Sequence, residues 1–299
     1  GWYLIRQLAA DGWDVEATCL GNERVDADIP VHTLDILNMR QIEGTFSRVM
    51  PDAVIHLAAQ SSVGFSWEKP ALTVDINVKG TVNVIEGVRN AGPSIRLHLV
   101  GSGEQYGAVN PGECPIPETH EMRPGNIYAA TKVTQDLLGD IYSRAYGMNI
   151  LRTRAFNHFG PRQIPQFVVA DFCRQTARIE RGFEEPVILV GNLSARRDFC
   201  DVRDIVRAYS ALLKTGESGG VYNVGSGHAV SIEEILGAVL SLSTEKIEVR
   251  TDEKKFRPID VPLIEADISK LKAETGWSPR YALLDTVKET LDYWRSEVE

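Results

Sequence analysis

Four cysteines, at positions 19, 114, 173 and 200, are too few and too scattered for a disulfide framework, and no two stand in CxxC spacing. Buried or free thiols in a reducing cytosol are the reading that remains. The six histidines form no ligand pattern such as HExxH, so no metal site is expected. Positive charge is also in deficit, with 32 Lys and Arg against 41 Asp and Glu and a net charge of −9. That balance argues against nucleic-acid binding by bulk electrostatics, and an anionic substrate would need a local cluster of arginines. No apolar run approaches the ~18 residues of a membrane span, and no secretory leader is visible. Repeats and low-complexity tracts are absent too. A cytoplasmic protein with neither membrane nor nucleic-acid partner is expected. What is present is ordinary for a soluble domain: 43% hydrophobic and 24% charged residues over 299 positions, enough for a large core.

The chain opens on a helix. Leu4, Ile5, Leu8 and Ala9 share a stripe, and Gly12 suits its stop. Strands are expected over 14–20 and 31–34, and AVIHLAA (53–59) reads as a strand covered on both faces. Residues 70–91 read as helix, 98–102 as strand, 126–146 as helix and 149–154 as strand. Alternation of this kind predicts a doubly wound α/β parallel sheet. After Pro161 the rhythm changes, with a helix over 168–181, a strand over 186–190, a capping box at Ser231 and Glu234, and a final amphipathic helix near 284–298. The expected division is 1–160 and 161–299, the second part smaller and interleaved, with the segment near 201–217 returning to the first. A dinucleotide fold begins with a strand and a glycine-rich turn before its first helix. Here Gly1 reads as the last glycine of that turn.

Tyr128 and Lys132, in NIYAATK, lie four residues apart on a helix downstream of a strand that ends at Ser102. Positions i and i+4 share one helix face, so an ammonium is expected beside a phenol, lowering the phenol's pKa from its ordinary value near 10. Such a tyrosine is a candidate proton donor or acceptor, with Ser102 as a second donor.

The blocks HLAAQSSV, INVKGTVNVIE, GSGEQYG, YAATK, RAFNHFGPRQ, RRDFCDVRDIV, YNVGSG and FRPIDVPLIEADISKLKAETGWSPR run in order along nearly the whole chain. Together they resemble the extended short-chain dehydrogenase/reductases that act on nucleotide sugars, and most of all their GDP-mannose branch of dehydratases and reductases. The resemblance implies a Rossmann-type dinucleotide-binding sheet with a nucleotide-sugar-binding part. It implies Tyr128 as general acid/base, Lys132 as its electrostatic partner and a ribose ligand, and Ser102 on the sugar oxygen. Cofactor contacts implied are Gly1, Asp35, Ile36, Leu57, Ala58, Ala59 and Asn77. Asn77 reads equally well as an asparagine satisfying backbone groups between helix and strand. Arg197 and Arg257 match diphosphate-binding arginines, Asn157 a residue on the bound nucleotide sugar, Asp260 a candidate for a ribose hydroxyl, and Arg162 a further substrate contact.

Two activities stay open within that branch. Glu104 stands where dehydratases place a carboxylate base, and reductases keep one there as well. Ser102 in place of threonine, Gln105 in place of leucine, and the lack of paired arginines after the second strand favour a reductase. The expectation is reduction of GDP-4-dehydro-6-deoxy-D-mannose to GDP-D-rhamnose. The alternatives are GDP-mannose 4,6-dehydratase, a non-catalytic cofactor-binding scaffold and, more faintly, an epimerase. Residues 18–22 offer no acid for a ribose 2′-hydroxyl, and Arg24 is placed to meet a 2′-phosphate, so NADP(H) is favoured with NAD(H) possible. Helices 70–91 and 126–146 offer apolar positions Val74, Val78, Val82 and Ile85, and Leu137, Leu138, Ile141 and Tyr142. Their excess over what one sheet needs suggests a homodimer through a four-helix bundle.

Overall fold

The computed structural model describes residues 1–21, 25–92, 94–255 and 261–298. Helix α1 (Trp2–Ala10) turns Leu4 and Leu8 inward. Short strands β1 (Ala17–Cys19) and β2 (Val31–Thr33) pair in parallel, and α2 (Met39–Val49) begins at Asn38, whose side chain accepts from the Gln41 N–H. Strand β3 (Ala53–His56) leads to α3 (Val63–Glu68), α4 (Pro70–Val74) and α5 (Gly80–Ala91). Strand β4 (Arg96–Ser102), α6 (Ile127–Tyr146), β5 (Ile150–Ala155) and β6 (Asn157–Phe159) follow. The later part contains α7 (Val168–Glu180), β7 (Val187–Val190), β8 (Arg196–Asp201), α8 (Val202–Thr215) and β9 (Val221–Val224). It ends with β10 (Ala229–Ser231), α9 (Ile232–Ser241), β11 (Glu248–Thr251), β12 (Leu263–Ile264), α10 (Ser269–Thr275) and α11 (Leu283–Glu297).

The central sheet runs β3-β4-β5-β9, all parallel, which bears out the doubly wound expectation. The β1–β2 pair forms a separate parallel sheet. Although β9 comes late in the chain, it adds to the central sheet, and α8 joins α1 in one hydrophobic cluster with Leu4, Leu8, Ile205 and Leu212. A second cluster lies under α7, α9 and α11, around Phe172, Ile235 and Leu291. There β8 is the organising strand, flanked by β10 and β12, with β6 also paired to it. The Ser231–Glu234 capping box is made in both directions, at 2.6 and 3.0 Å. Among the described residues no helix is long and apolar enough to cross a membrane.

The helix expected over 70–91 is present, with a π-turn inside it. Between α4 and α5 the residues Asp75–Lys79 form a π-turn, closed by the Gly80 N–H on the Asp75 carbonyl. The apolar stripe for a dimer is divided. Val74, Leu137 and Ile141 are exposed, at 45, 49 and 48%, but Ile85 is fully buried, and Leu138 and Tyr142 pack against the same core. Those three face the chain's own sheet, because α5 and α6 each need that much circumference to cover it.

All six residues of β5 are buried, including Arg152 and Arg154. Burial of two guanidiniums is tolerable because α6 brings Asp136 against both, at 2.9 Å from Arg152 and 2.8 Å from Arg154. Two histidines are buried as well. The His56 Nε2 pairs with Thr81 Oγ1 at 3.1 Å, and His98 Nε2 with Thr153 Oγ1 at 2.9 Å. Burial pushes both imidazoles down to about 3, helped by the charge of Lys132 on His56 and of Arg96 on His98. Between about 3 and 6.5 the unfolded chain therefore binds protons that the folded chain refuses, so stability falls as pH drops through that window. Urea unfolding at pH about 7 and about 4.5 is expected to show the loss, and replacing both histidines by glutamine is expected to shrink it. An equal loss in the variant would assign the acid limb to other groups.

Candidate active site

Ser102 ends β4, and its side chain begins the next turn. The Ser102 Oγ accepts the Glu104 N–H at 3.2 Å, while the Gln105 side chain accepts the Ser102 N–H at 2.9 Å, a capping box on the short 3₁₀ turn Gly103–Tyr106. Asn126 caps α6 through the Ala129 N–H at 2.8 Å, and its amide nitrogen reaches Glu104 at 3.3 Å. The carboxylate is thereby anchored at the start of the helix that carries Tyr128. Tyr128 is hydrogen-bonded to Ser102, and Glu104 acts on it electrostatically. Ser102, Glu104 and Tyr128 are thus brought into one cluster, with Lys132 one helical turn beyond Tyr128 on α6.

The expected action of Lys132 on the phenol is corrected by the geometry. The ammonium is buried against β4, donating to the Val100 carbonyl at 2.8 Å and to Gln135 Oε1 at 3.0 Å. Its own pKa is lowered to about 8 by burial. Burial likewise pushes Tyr128 up to about 12, against the lowering effect of the Ser102 hydrogen bond, and the Glu104 charge adds to the rise. Loss of water outweighs the Ser102 hydroxyl. Tyr128 is therefore a fully protonated donor at neutral pH.

Asn77 sits in the π-turn, fully buried. Its carboxamide accepts the Gln60 N–H at 2.8 Å and donates to the Gln60 carbonyl at 2.9 Å and to Thr131 Oγ1 at 3.0 Å. Thr131 in turn donates to the Tyr128 carbonyl at 2.7 Å. The satisfied-backbone reading of Asn77 is what the hydrogen bonds show, and they tie the loop after β3 to α6. That loop leaves Leu57 and Ala58 exposed at the end of the sheet and Ala59 half-buried. Asp35 closes its own turn on the Leu37 N–H at 2.9 Å. Ile36 packs onto Gly80, where a Cβ would stand 2.5 Å from its Cδ1. Ala58 and Ala59 add little bulk where the chain leaves the carboxyl end of a parallel strand, and Gly1 is exposed at the start of α1, features that fit a dinucleotide. Beside Gln60 opens a cleft of about 520 Å³, lined by Ser61, Ser62, Phe65, Glu68 and Gln166.

The remaining expected residues are dispersed. Asn157 is exposed on β6, in register with Phe199 of β8. Arg197 is half-buried and donates to the carbonyls of Arg196 at 2.9 Å and Val261 at 2.5 Å. Arg162 turns away to α1, pairing with Asp26 at 2.6 Å and stacking 4.6 Å over Trp2. Arg24, Arg257 and Asp260 lie outside the described residues. Sequence reasoning missed Gln60, Asn126, Gln135 and Asp136 as supports; only the Ser-x-x-Gln spacing of a capping box was there to be read.

The buried ammonium has a measurable consequence. With a folded pKa of about 8 against an ordinary 10.5, the folded chain sheds its proton first, so stability gains as pH rises across that interval. The stability difference between the wild type and Lys132→Met is expected to move in favour of the wild type from pH 8 to 10.5. A difference independent of pH would place the ammonium in water.

Comparison with known proteins gives the family. A model of the GDP-mannose 4,6 dehydratase family matches residues 1–290. The chain is 34% identical to a GDP-6-deoxy-D-mannose reductase of Pseudomonas aeruginosa, over 90% of this chain and 89% of that protein. It is 32% identical to GDP-mannose 4,6 dehydratase 2 of Arabidopsis thaliana, over 88% of this chain and 70% of that protein. Among solved structures, RMD from P. aeruginosa complexed with NADPH superposes with a TM-score of 0.84 at 33% identity, over 91% of this chain and 93% of that one. The UDP-glucose 4-epimerase of Thermus thermophilus, in complex with NAD, gives 0.88 at 30% identity over 100% of this chain and 96% of that one. A central parallel sheet, a serine at the end of its second strand and a Tyr/Lys helix behind it thus stand in a chain that belongs to the GDP-mannose 4,6 dehydratase family, whose members are oxidoreductase- and dehydratase-type enzymes acting on nucleotide sugars.

Proposed function

We propose that the protein reduces the C4 keto group of GDP-4-dehydro-6-deoxy-D-mannose to give GDP-D-rhamnose. The observation that carries this reading is the proximity of Ser102 to a Tyr128 phenol protonated at neutral pH, in a chain matching nine-tenths of a GDP-6-deoxy-D-mannose reductase. A keto reduction needs a proton donor at the oxygen when the carbonyl becomes an alkoxide. Tyr128 is such a donor, and the Ser102 hydroxyl steadies the same oxygen. A bound nicotinamide dinucleotide supplies the hydride. NADP(H) is favoured, as in the P. aeruginosa structure, with NAD(H) possible as in the epimerase. Gly1, Leu57, Ala58, Ala59, Asp35 and Ile36 would hold it, and Lys132 would have its third N–H for a ribose hydroxyl. The amides and hydroxyls of the cleft beside Gln60 suit sugar hydroxyls. The diphosphate is assigned to Arg197 and, beyond the described residues, Arg257.

Glu104 supports a second reading. Its carboxylate acts on Tyr128, the place from which a base would remove a sugar proton, so GDP-mannose 4,6-dehydratase is the alternative. Purified protein given GDP-mannose alone separates the two, since a 4-keto product formed without added reductant would overturn the reductase. With the keto-sugar and NADPH, Tyr128→Phe is expected to lower kcat by roughly 10²–10⁴-fold while dinucleotide affinity holds. Near-normal turnover would remove Tyr128 from the chemistry.

We also propose a cytoplasmic homodimer in which exposed Val74, Leu137 and Ile141 meet their symmetry mates. Because α6 carries Tyr128 and Lys132 at its first turns, that contact would brace the site. Leu137→Glu with Ile141→Glu is expected to give a monomer of reduced activity by light scattering and assay, and a fully active monomer would refute the bracing.

A further inference from the structure

We propose that Gln105 is a positioning residue for the reaction, fixing Ser102 against the sheet so that its hydroxyl is presented to Tyr128. The proposal rests on Ser102 and Tyr128 acting as described above.

Gln105 is fully buried between β4 and α6. Its Oε1 accepts the Ser102 N–H at 2.9 Å, and its Nε2 donates to Asp136 Oδ2 at 3.2 Å and reaches Met122 Sδ at 3.6 Å. Only one orientation of the carboxamide serves both ends. The reverse would turn an N–H on the Ser102 N–H and a carbonyl on a carboxylate. Asp136 is itself immobilised by Arg152 and Arg154, so the amide is anchored to the sheet through two guanidiniums. Space for it exists because residue 101 is glycine: a Cβ there would stand 2.6 Å from Gln105 Oε1 and 2.5 Å from the Thr153 carbonyl. Gly101 and Gln105 form a matched pair, the carboxamide lying where a side chain at 101 would lie.

The consequence falls on the serine hydroxyl. Its oxygen already accepts from the Glu104 N–H, which directs one lone pair into the turn and leaves the O–H to turn toward Tyr128 and the oxygen that Tyr128 would protonate. That direction holds only while the backbone of Ser102 stays where Gln105 pins it. Leucine at 105 would fill much of the volume but strand a buried N–H and remove one of the two bonds that define the turn. Glutamate would keep the acceptor but set a second carboxylate against Asp136.

A double-mutant cycle tests the coupling, with the keto-sugar and NADPH as the assay pair. Gln105→Leu is expected to lower kcat about tenfold with the dinucleotide KM unchanged, the size of one lost buried hydrogen bond. In a Ser102→Ala background it is expected to cost less than about twofold, because the group it positions is gone. Gln105→Glu is expected to lose at least as much as Gln105→Leu, because the acceptor it keeps for Ser102 is offset by a second buried carboxylate against Asp136. If Gln105→Leu does not accumulate as folded protein, Gln105→Met enters the same cycle. A readout independent of turnover is the ¹³Cζ resonance of Tyr128, expected to move in the same direction in Gln105→Leu as in Ser102→Ala. Equal losses in both backgrounds would make Gln105 merely structural. An unaltered Gln105→Leu beside a crippled Ser102→Ala overturns Gln105 alone, whereas a fully active Ser102→Ala overturns the parent reading and this one with it.

Discussion

One buried carboxylate holds the candidate catalytic groups to the scaffold. Asp136, one turn beyond Lys132 on α6, lies between the guanidiniums of Arg152 and Arg154, two residues apart on β5 and pointing to the same face of the strand. Neither charge sign is tolerable there alone, since an uncompensated ion in a low-dielectric interior is far costlier than a broken surface pair. The pairing therefore fixes the rotation and the axial position of α6 on the sheet. Tyr128 and Lys132 inherit that registration from the same helix. Arg154 extends it to Tyr106 and the Glu118 carbonyl, and Tyr106 to Asn223 of β9, so the loop after β4 is tied to the late strand by the same chain of bonds.

The site is consequently built more from supports than from reactants. Asn77 fastens the loop after β3 to α6, and Asn126 fastens Glu104 to the beginning of that helix. Gln135 shares the Val100 carbonyl with Lys132 and holds the ammonium from its other side. Each is a carboxamide, able to donate and accept at once without adding charge to an already crowded interior. This chemistry lets a tyrosine stay protonated and a lysine stay close without either being left unsatisfied.

Much of this was legible before the structure. The alternation of strands and helices, the Tyr/Lys spacing and the strand ending in serine all rest on local pattern, and local pattern survives folding. Three things did not. The π-turn leaves no trace in periodicity, because Val74, Val78, Val82 and Ile85 keep helical spacing across it. The pKa of Tyr128 was expected to fall because the lysine is visible in sequence, whereas the burial that raises it is a property of the packed interior. The ion pair of Arg162 with Asp26 joins residues 136 apart in sequence and is reached only through the tertiary fold. Sequence reports what a segment can do, and packing decides toward which neighbour it does it.

The π-turn at Asp75–Lys79 sets the phase between the two helices it joins. A turn closed from residue i to i+5 holds one residue more than an α-helical turn, so it widens the helix without a loop. An α-helix advances about 100° per residue, so taking one residue out of this stretch would turn α4 relative to α5 by about that angle. With α5 kept on the sheet, Asn77 would swing away from Gln60 and Thr131, and the loop after β3 would lose its tie to α6. One widened turn thus lets a single run of helix serve the sheet with one face and the loop with another.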